Sequence, residues 1–227
     1  MSITSNLEKI RSEIDAAAVS AGRDPSAIRL VAVSKTKPAS MVDEAAEAGQ
    51  LVFGENYVQE LVAKAAMVTS VVEWHFIGHL QSNKVRQIAG IVSMIHSVDR
   101  LSLAEEIDRQ WGRLGLACNI LIQVNVSGET TKSGTTSEEA RMLVRQVALL
   151  QNVRICGLMT MPPFFDDPEA ARPYFRELRT LAREIGLLDI PGVSMKELSM
   201  GMSGDFEVAV EEGATLVRVG SAIFGSR

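Results

Sequence analysis

Apolar strand-like runs and helical stretches alternate from one end of this chain to the other. That alternation restricts the fold more than any single residue does. Runs suited to strands fall near 28–34, 51–54, 73–77, 92–96, 118–126, 153–159, 195–199 and 215–219. A helix over 6–21, stopped by Gly22, precedes the first of them. After Lys37-Pro38 a helix can start with proline in its first turn and end just before Gly49. The next carries Val58, Leu61, Val62 and Ala65 on one face. Ser82 and Asp99 are expected to cap the third and fourth. Thr136-Ser137-Glu138-Glu139 reads as a capping box opening the fifth. Asp167-Pro168 opens a sixth, with Ala171, Phe175, Leu178, Ala182 and Ile185 on one stripe, and Ser203 or Asp205 opens a seventh that Gly213 ends. Eight strands separated by helices predict an α/β fold: a TIM-type (β/α)8 barrel opening with an N-terminal helix. An open, doubly wound sheet is the alternative.

The chain has 227 residues, 46% of them hydrophobic, enough for a sizeable core. No Pro/Gly/Ser-rich linker divides it, so residues 1–227 read as a single domain. No apolar run approaches the roughly 18 residues of a membrane helix, and the N-terminus lacks a signal-peptide pattern. Net charge is -5 with acids and bases interspersed, which gives no support to nucleic-acid binding. Cys118 and Cys156 lie in separate apolar runs and read as buried thiols, not as a disulfide framework or a metal site. These features predict a cytoplasmic, non-membrane protein.

In a barrel of this kind chemistry collects at the C-terminal ends of the strands. Lys35 closes the first apolar run, Ile28–Ser34. An amine where a buried strand opens into a loop is partly desolvated, and a Schiff-base lysine needs that setting. Gly54-Glu55-Asn56-Tyr57 follows strand 2, Gly78-His79 follows strand 3, and Ser199-Met200-Gly201-Met202-Ser203-Gly204 follows strand 7. Arg218 lies in strand 8, followed by Gly220-Ser221. Barrels often hold phosphate in the loops after strands 7 and 8, beside the start of a short extra helix. A lysine with a phosphate site fits a sugar-phosphate aldolase or a pyridoxal phosphate site. Arg218, facing as Gly220 does, favours the second, since an arginine at the pyridine nitrogen keeps that nitrogen unprotonated.

Each residue also has a plainer reading. Lys35 can be a solvated surface charge, His79 a loop hydrogen-bonder and Asn56 a helix N-cap. His75 reads as structural, His96 as a hydrogen-bonder of the core and Asn125 as a partner for loop backbone. Met159, Met161, Met200 and Met202 read as core filling, and Arg218 can pair with a barrel carboxylate.

Six segments in this order resemble the pyridoxal phosphate homeostasis protein family, whose barrel is similar to the N-terminal domain of alanine racemase. They are Val31–Lys35, Phe53–Glu60, Trp74–Lys84, Gly128-Glu129 with Lys132-Ser133-Gly134, Leu198–Ser203 and Val217–Gly225. The resemblance covers nearly the whole chain. It implies that Lys35 is the Schiff-base lysine and that Arg218 meets the pyridine nitrogen. Ser203, Gly220 and Ser221 would form the phosphate cradle, with Asn56, His79 and Met202 beside the cofactor, pyridoxal 5'-phosphate. Gly204 departs from the pattern at a position expected to be polar. The implied function is to bind pyridoxal phosphate as a monomer and balance vitamin B6 and amino-acid pools, releasing the cofactor to apo-enzymes. The related racemases add a second domain with a tyrosine acid/base, and this chain ends at Arg227. Tyr57 and Tyr174 are its tyrosines, so the expectation is a holder of the cofactor without robust turnover. A minimal racemase or decarboxylase is the alternative, with Tyr57 or a water as the acid.

Overall fold

The computed structural model describes residues 2–129 and 133–225. Lys132 and Arg227 lie outside the described residues. The elements run α1 (Ile3–Ser20), β1 (Arg29–Val33), α2 (Ala39–Glu47), β2 (Val52–Glu55), α3 (Val58–Met67), β3 (Glu73–Phe76), α4 (Val85–Ile88), β4 (Met94–Val98) and α5 (Leu101–Gly112). Then come β5 (Cys118–Gln123), α6 (Ser137–Val147), β6 (Val153–Met159), α7 (Arg172–Gly186), β7 (Val193–Ser199), α8 (Phe206–Glu211), β8 (Leu216–Val219) and α9 (Ser221–Phe224). The strands pair in chain order, all parallel, and β8 closes on β1 through Arg29–Leu216 to Ala32–Val219. The closed barrel removes the open-sheet alternative.

Two separate apolar layers follow from strand alternation. Outward-facing residues such as Leu30, Ala32, Phe53, Phe76, Ile95, Ile120 and Val217 pack with the helices in the main core. Inward-facing Val31, Val52, Met94, Leu121, Met159 and Leu216 form a smaller cluster in the barrel interior. Within α7, Phe175, Leu178, Leu181, Ala182 and Ile185 are buried, as its periodicity predicts. In the outer layer α1 packs against α8, α9 and α2, and its N-cap Ser2 accepts from the Ser5 amide.

The predicted caps fare unevenly. Thr136 and Glu139 form the reciprocal capping box at α6. Asp167 accepts from the Glu169 amide and opens a 3-10 turn over Pro168–Ala171 that leads into α7. Ser82 begins a 3-10 turn and makes no cap bond, so that helix is a turn followed by the short α4. Asp99 does not cap α5 either. Its carboxylate accepts from Arg100 at 2.7 Å, and Arg100 holds the N-cap position without a side-chain bond. A neighbouring cation has outcompeted the helix amides for that oxygen.

Candidate functional site

Lys35 stands on the loop leaving β1, half-buried. The residues on either side of it are held from below. Ser34 is fully buried, and its hydroxyl donates to Glu55 Oε1 at 2.6 Å. The Lys64 ammonium, from α3, donates to the Ser34 carbonyl, to Glu55 at 2.7 Å and to Glu60 at 2.7 Å. Glu60 in turn accepts from the Thr36 amide, and Thr36 takes a positive φ of 64°. A β-carbon residue in that region is uncommon and needs local support, which the Glu60 carboxylate supplies. Burial pushes the Glu55 carboxyl above its ordinary range, against the hydrogen bonds from Lys64 and Ser34.

Asn56 follows β2, and its side-chain oxygen is buried without a protein partner. The backbone there is fixed by Gly78. A β-carbon on residue 78 would lie 2.1 Å from the Asn56 carbonyl oxygen, so only glycine lets the loops after β2 and β3 meet. The loop after β7 turns at Gly201, with φ of 88°, where an added β-carbon would meet that of Ala209 at 2.5 Å. Asp205 secures this loop by accepting from the Met202 amide at 2.6 Å. Ser203 faces the loop after β8, where the Gly220 amide and the Ser221 hydroxyl each approach its oxygen at 3.4 Å.

Arg218 is fully enclosed in the barrel. It donates to Ser199 Oγ at 2.5 Å and to the Thr160 carbonyl at 2.9 Å. Burial lowers its pKa to about 10, which still leaves it charged at neutral pH. Lys35, Asn56, Met202, Ser203, Arg218, Gly220 and Ser221 line one cavity of about 340 Å³, together with Val33, Ile77, Met161, Phe164 and Gly204. This volume lies in the range of small-molecule and cofactor sites. An amine, a buried guanidinium and two serine-glycine loops around one cavity suit a flat, anionic carbonyl compound.

The profile of the family described as alanine racemase, N-terminal domain, matches residues 5–227. The pyridoxal phosphate homeostasis protein of Aquifex aeolicus is 44% identical, covering 100% of this chain and 99% of that one. That of Pseudomonas aeruginosa is 46% identical, over 99% of this chain and 96% of the relative. The chain belongs to the pyridoxal phosphate homeostasis protein family. The solved structure of PipY from Synechococcus elongatus with PLP bound superposes with a TM-score of 0.87 at 39% identity, covering 98% of this chain and 100% of that one.

In this family member the other candidate residues divide between the cavity and places away from it, some as the sequence led us to expect and some not. His79 is exposed on the loop after β3 and does not line the cavity, because Gly78 is packed against Asn56 and the chain turns outward at the next position. Asn56 makes no N-cap bond, since Tyr57 holds the cap position of α3. Arg218 bonds a hydroxyl and a carbonyl, where pairing with a barrel carboxylate had been the alternative. The four methionines divide: Met159 and Met200 are core, while Met161 and Met202 reach the cavity. Cys118 is buried and Cys156 half-buried, both free, and burial raises both thiols. Asn125 donates to the Glu129 carbonyl, satisfying loop backbone. Tyr57 is exposed and outside the lining. Phe164 carried no signal in the sequence, since nothing distinguishes an aromatic residue in a loop from one in transit. Among the described residues no His/Cys/Asp/Glu group is arranged to hold a metal, and no helix is long and apolar enough to cross a membrane.

Proposed function

We propose that this protein binds pyridoxal 5'-phosphate (PLP) in the cavity beside Lys35 and serves vitamin B6 and amino-acid homeostasis by holding it reversibly. The observation that carries this reading is the convergence of Lys35, Arg218 and the Ser203 and Gly220-Ser221 loops on one cavity. The relatives' names and the PLP-bound PipY structure support it.

The residues fit the group on their own chemistry. Bound PLP supplies an aldehyde that bonds an amine reversibly. Lys35 would supply that amine as a Schiff base. Ser203, Gly220 and Ser221 would hold the phosphate with hydroxyls and backbone amides. Arg218, fixed by Ser199 and Thr160, would face the pyridine nitrogen and keep a proton off it. The Asn56 side chain, whose oxygen has no protein partner, and Met202 would contact the ring. Residues 1–227 would act as one domain and as a cytoplasmic monomer, passing PLP to apo-enzymes.

The test is a visible spectrum of protein mixed with PLP, before and after borohydride, with Lys35→Ala alongside. A band that borohydride bleaches, leaving cofactor attached in the parent and none in the variant, is the expected result. A parent spectrum identical to free PLP overturns the reading. Reactivation of an apo PLP enzyme by the loaded protein tests the transfer role separately.

A further inference from the structure

A chain of polar side chains runs down the barrel axis, through an interior that such folds usually fill with apolar layers. Arg218 Nη1 lies 2.5 Å from Ser199 Oγ. Ser199 Oγ lies 2.9 Å from His96 Nδ1, and His96 Nε2 lies 2.9 Å from His75 Nδ1. His75 Nε2 then lies 2.9 Å from Glu73 Oε1. Ser199, His96, His75 and Arg218 are buried, while the Glu73 side chain is 40% exposed at the N-terminal mouth, opposite the cavity. We propose that Ser199, His96, His75 and Glu73 are positioning residues for Arg218, so that a carboxylate at one mouth of the barrel sets how the guanidinium meets the cofactor at the other. The proposal rests on the reading that Arg218 faces PLP.

The argument is one of donors and acceptors. Arg218 can only donate, and the ionised Glu73 can only accept. With one proton on each imidazole the four bonds have a single arrangement. Arg218 donates to Ser199, the Ser199 hydroxyl donates to His96 Nδ1, His96 Nε2–H donates to His75 Nδ1, and His75 Nε2–H donates to Glu73. Burial above all, with the Arg218 charge nearby, holds His96 well below the usual histidine range, so its ring is neutral. The hydrogen bond from His75 holds Glu73 down at about 2, so it is ionised at neutral pH.

A histidine pair that merely satisfied itself would not end on a cavity-lining arginine. The acidic group whose charge bears on Arg218 is Asp205, and its carboxylate accepts from the Met202 amide. The Ser199 hydroxyl therefore sets one guanidinium nitrogen and the Thr160 carbonyl the other. The serine's own proton is committed only while His96 is a Nδ1 acceptor, and that tautomer is fixed by the two groups beyond it. Head-to-tail chains of this kind strengthen each bond they contain.

The test compares the parent, Glu73→Ala, Arg218→Lys and the double variant, because alanine removes the acceptor that glutamine would keep. In protein without PLP, nitrogen NMR should show His96 protonated at Nε2, and the Arg218 guanidinium resonance should move in Glu73→Ala. PLP titration should weaken by about tenfold in Glu73→Ala but by less than about twofold when the same change is made on Arg218→Lys, since coupled residues are non-additive. An Arg218 resonance unmoved by Glu73→Ala overturns the proposal. So does an equal loss of PLP affinity in both backgrounds, which is what a general loss of stability gives. If the parent binds no PLP, the cofactor reading fails while the NMR arm still decides the chain.

Discussion

Lys64 shows why a single residue can carry structure that its sequence context hides. It sits on α3 beside the apolar positions Val58 and Leu61, where a lysine reads as part of a solvated face. In the fold it is 5% exposed and lies 2.7 Å from both Glu55 and Glu60. The one trace in the sequence is the Glu60-to-Lys64 spacing of four, which many surface helices share. Lys35 and Arg218 were legible because their surroundings are unusual: a cation closing an apolar strand run, and another inside one. Removing one partner of a buried pair leaves the other charge uncompensated. Lys64→Met should therefore destabilise the protein by about 3 kcal/mol, while Lys64→Met with Glu55→Gln recovers most of that loss. Urea unfolding of the two variants measures both, and a double variant no better than the single one contradicts the account.

Strands and long helices were legible at the scale of elements because burial writes a period into them. Their ends were legible only where the cap chemistry was self-contained. Thr136 and Glu139 satisfy one another and were readable, whereas Asp99 has Arg100 beside it and went to the cation. The packing of α7 on α8 was hidden for the same reason, since it depends on partners distant in sequence. Glu212, just past α8, is buried and meets Arg172 at 3.1 Å, Arg176 at 2.8 Å and Arg179 at 3.1 Å. Burial pushes its carboxyl up, but the hydrogen bonds from Arg176 and Arg172 outweigh burial and hold it below the ordinary value of 4.5. A carboxyl depressed by folding stabilises fully above its unfolded value and stops doing so as pH falls through its folded one. Glu212→Gln should thus cost about 1–2 kcal/mol at pH 7, a figure kept small because the arginines are partly solvated. That gap should narrow steadily below about pH 4.5 as the parent's own carboxyl takes its proton. Unfolding measured in denaturant across pH 3–7 gives the curve, and a gap constant with pH contradicts it.

Closure of the barrel as a whole was readable from eight alternations, yet the unevenness of its seams was not, since strand registers leave no mark on hydropathy. Pairing of β5 with β6 runs from Cys118–Val153 to Gln123–Met159, broken by one register shift between Ile120 and Leu121. Between β7 and β8 the register is only Ser199–Leu216, with single backbone bonds from Thr215 to Leu198, Met200 to Leu216 and Arg218 to Gly201 carrying the chains apart into the glycine loops. The cavity opens over this seam. Its amine comes from the loop after β1, its small-residue loops follow β7 and β8, and Arg218 lies in β8 beside Val31 of β1. A ligand bonded to Lys35 and held by Ser203 and Ser221, as proposed, would tie three consecutive strand ends together where the barrel has its shortest strand register. Ligand binding stabilises whatever it bridges, by about 2.7 kcal/mol at a hundredfold excess over Kd. Locally weak segments gain the most protection from exchange, because their opening is what the ligand opposes. Adding PLP should slow amide exchange across 199–203 and 216–221 far more than across 118–123. Equal slowing of both regions would mean that the seam opens only with the whole barrel, and no slowing in either would mean that the ligand does not bridge it.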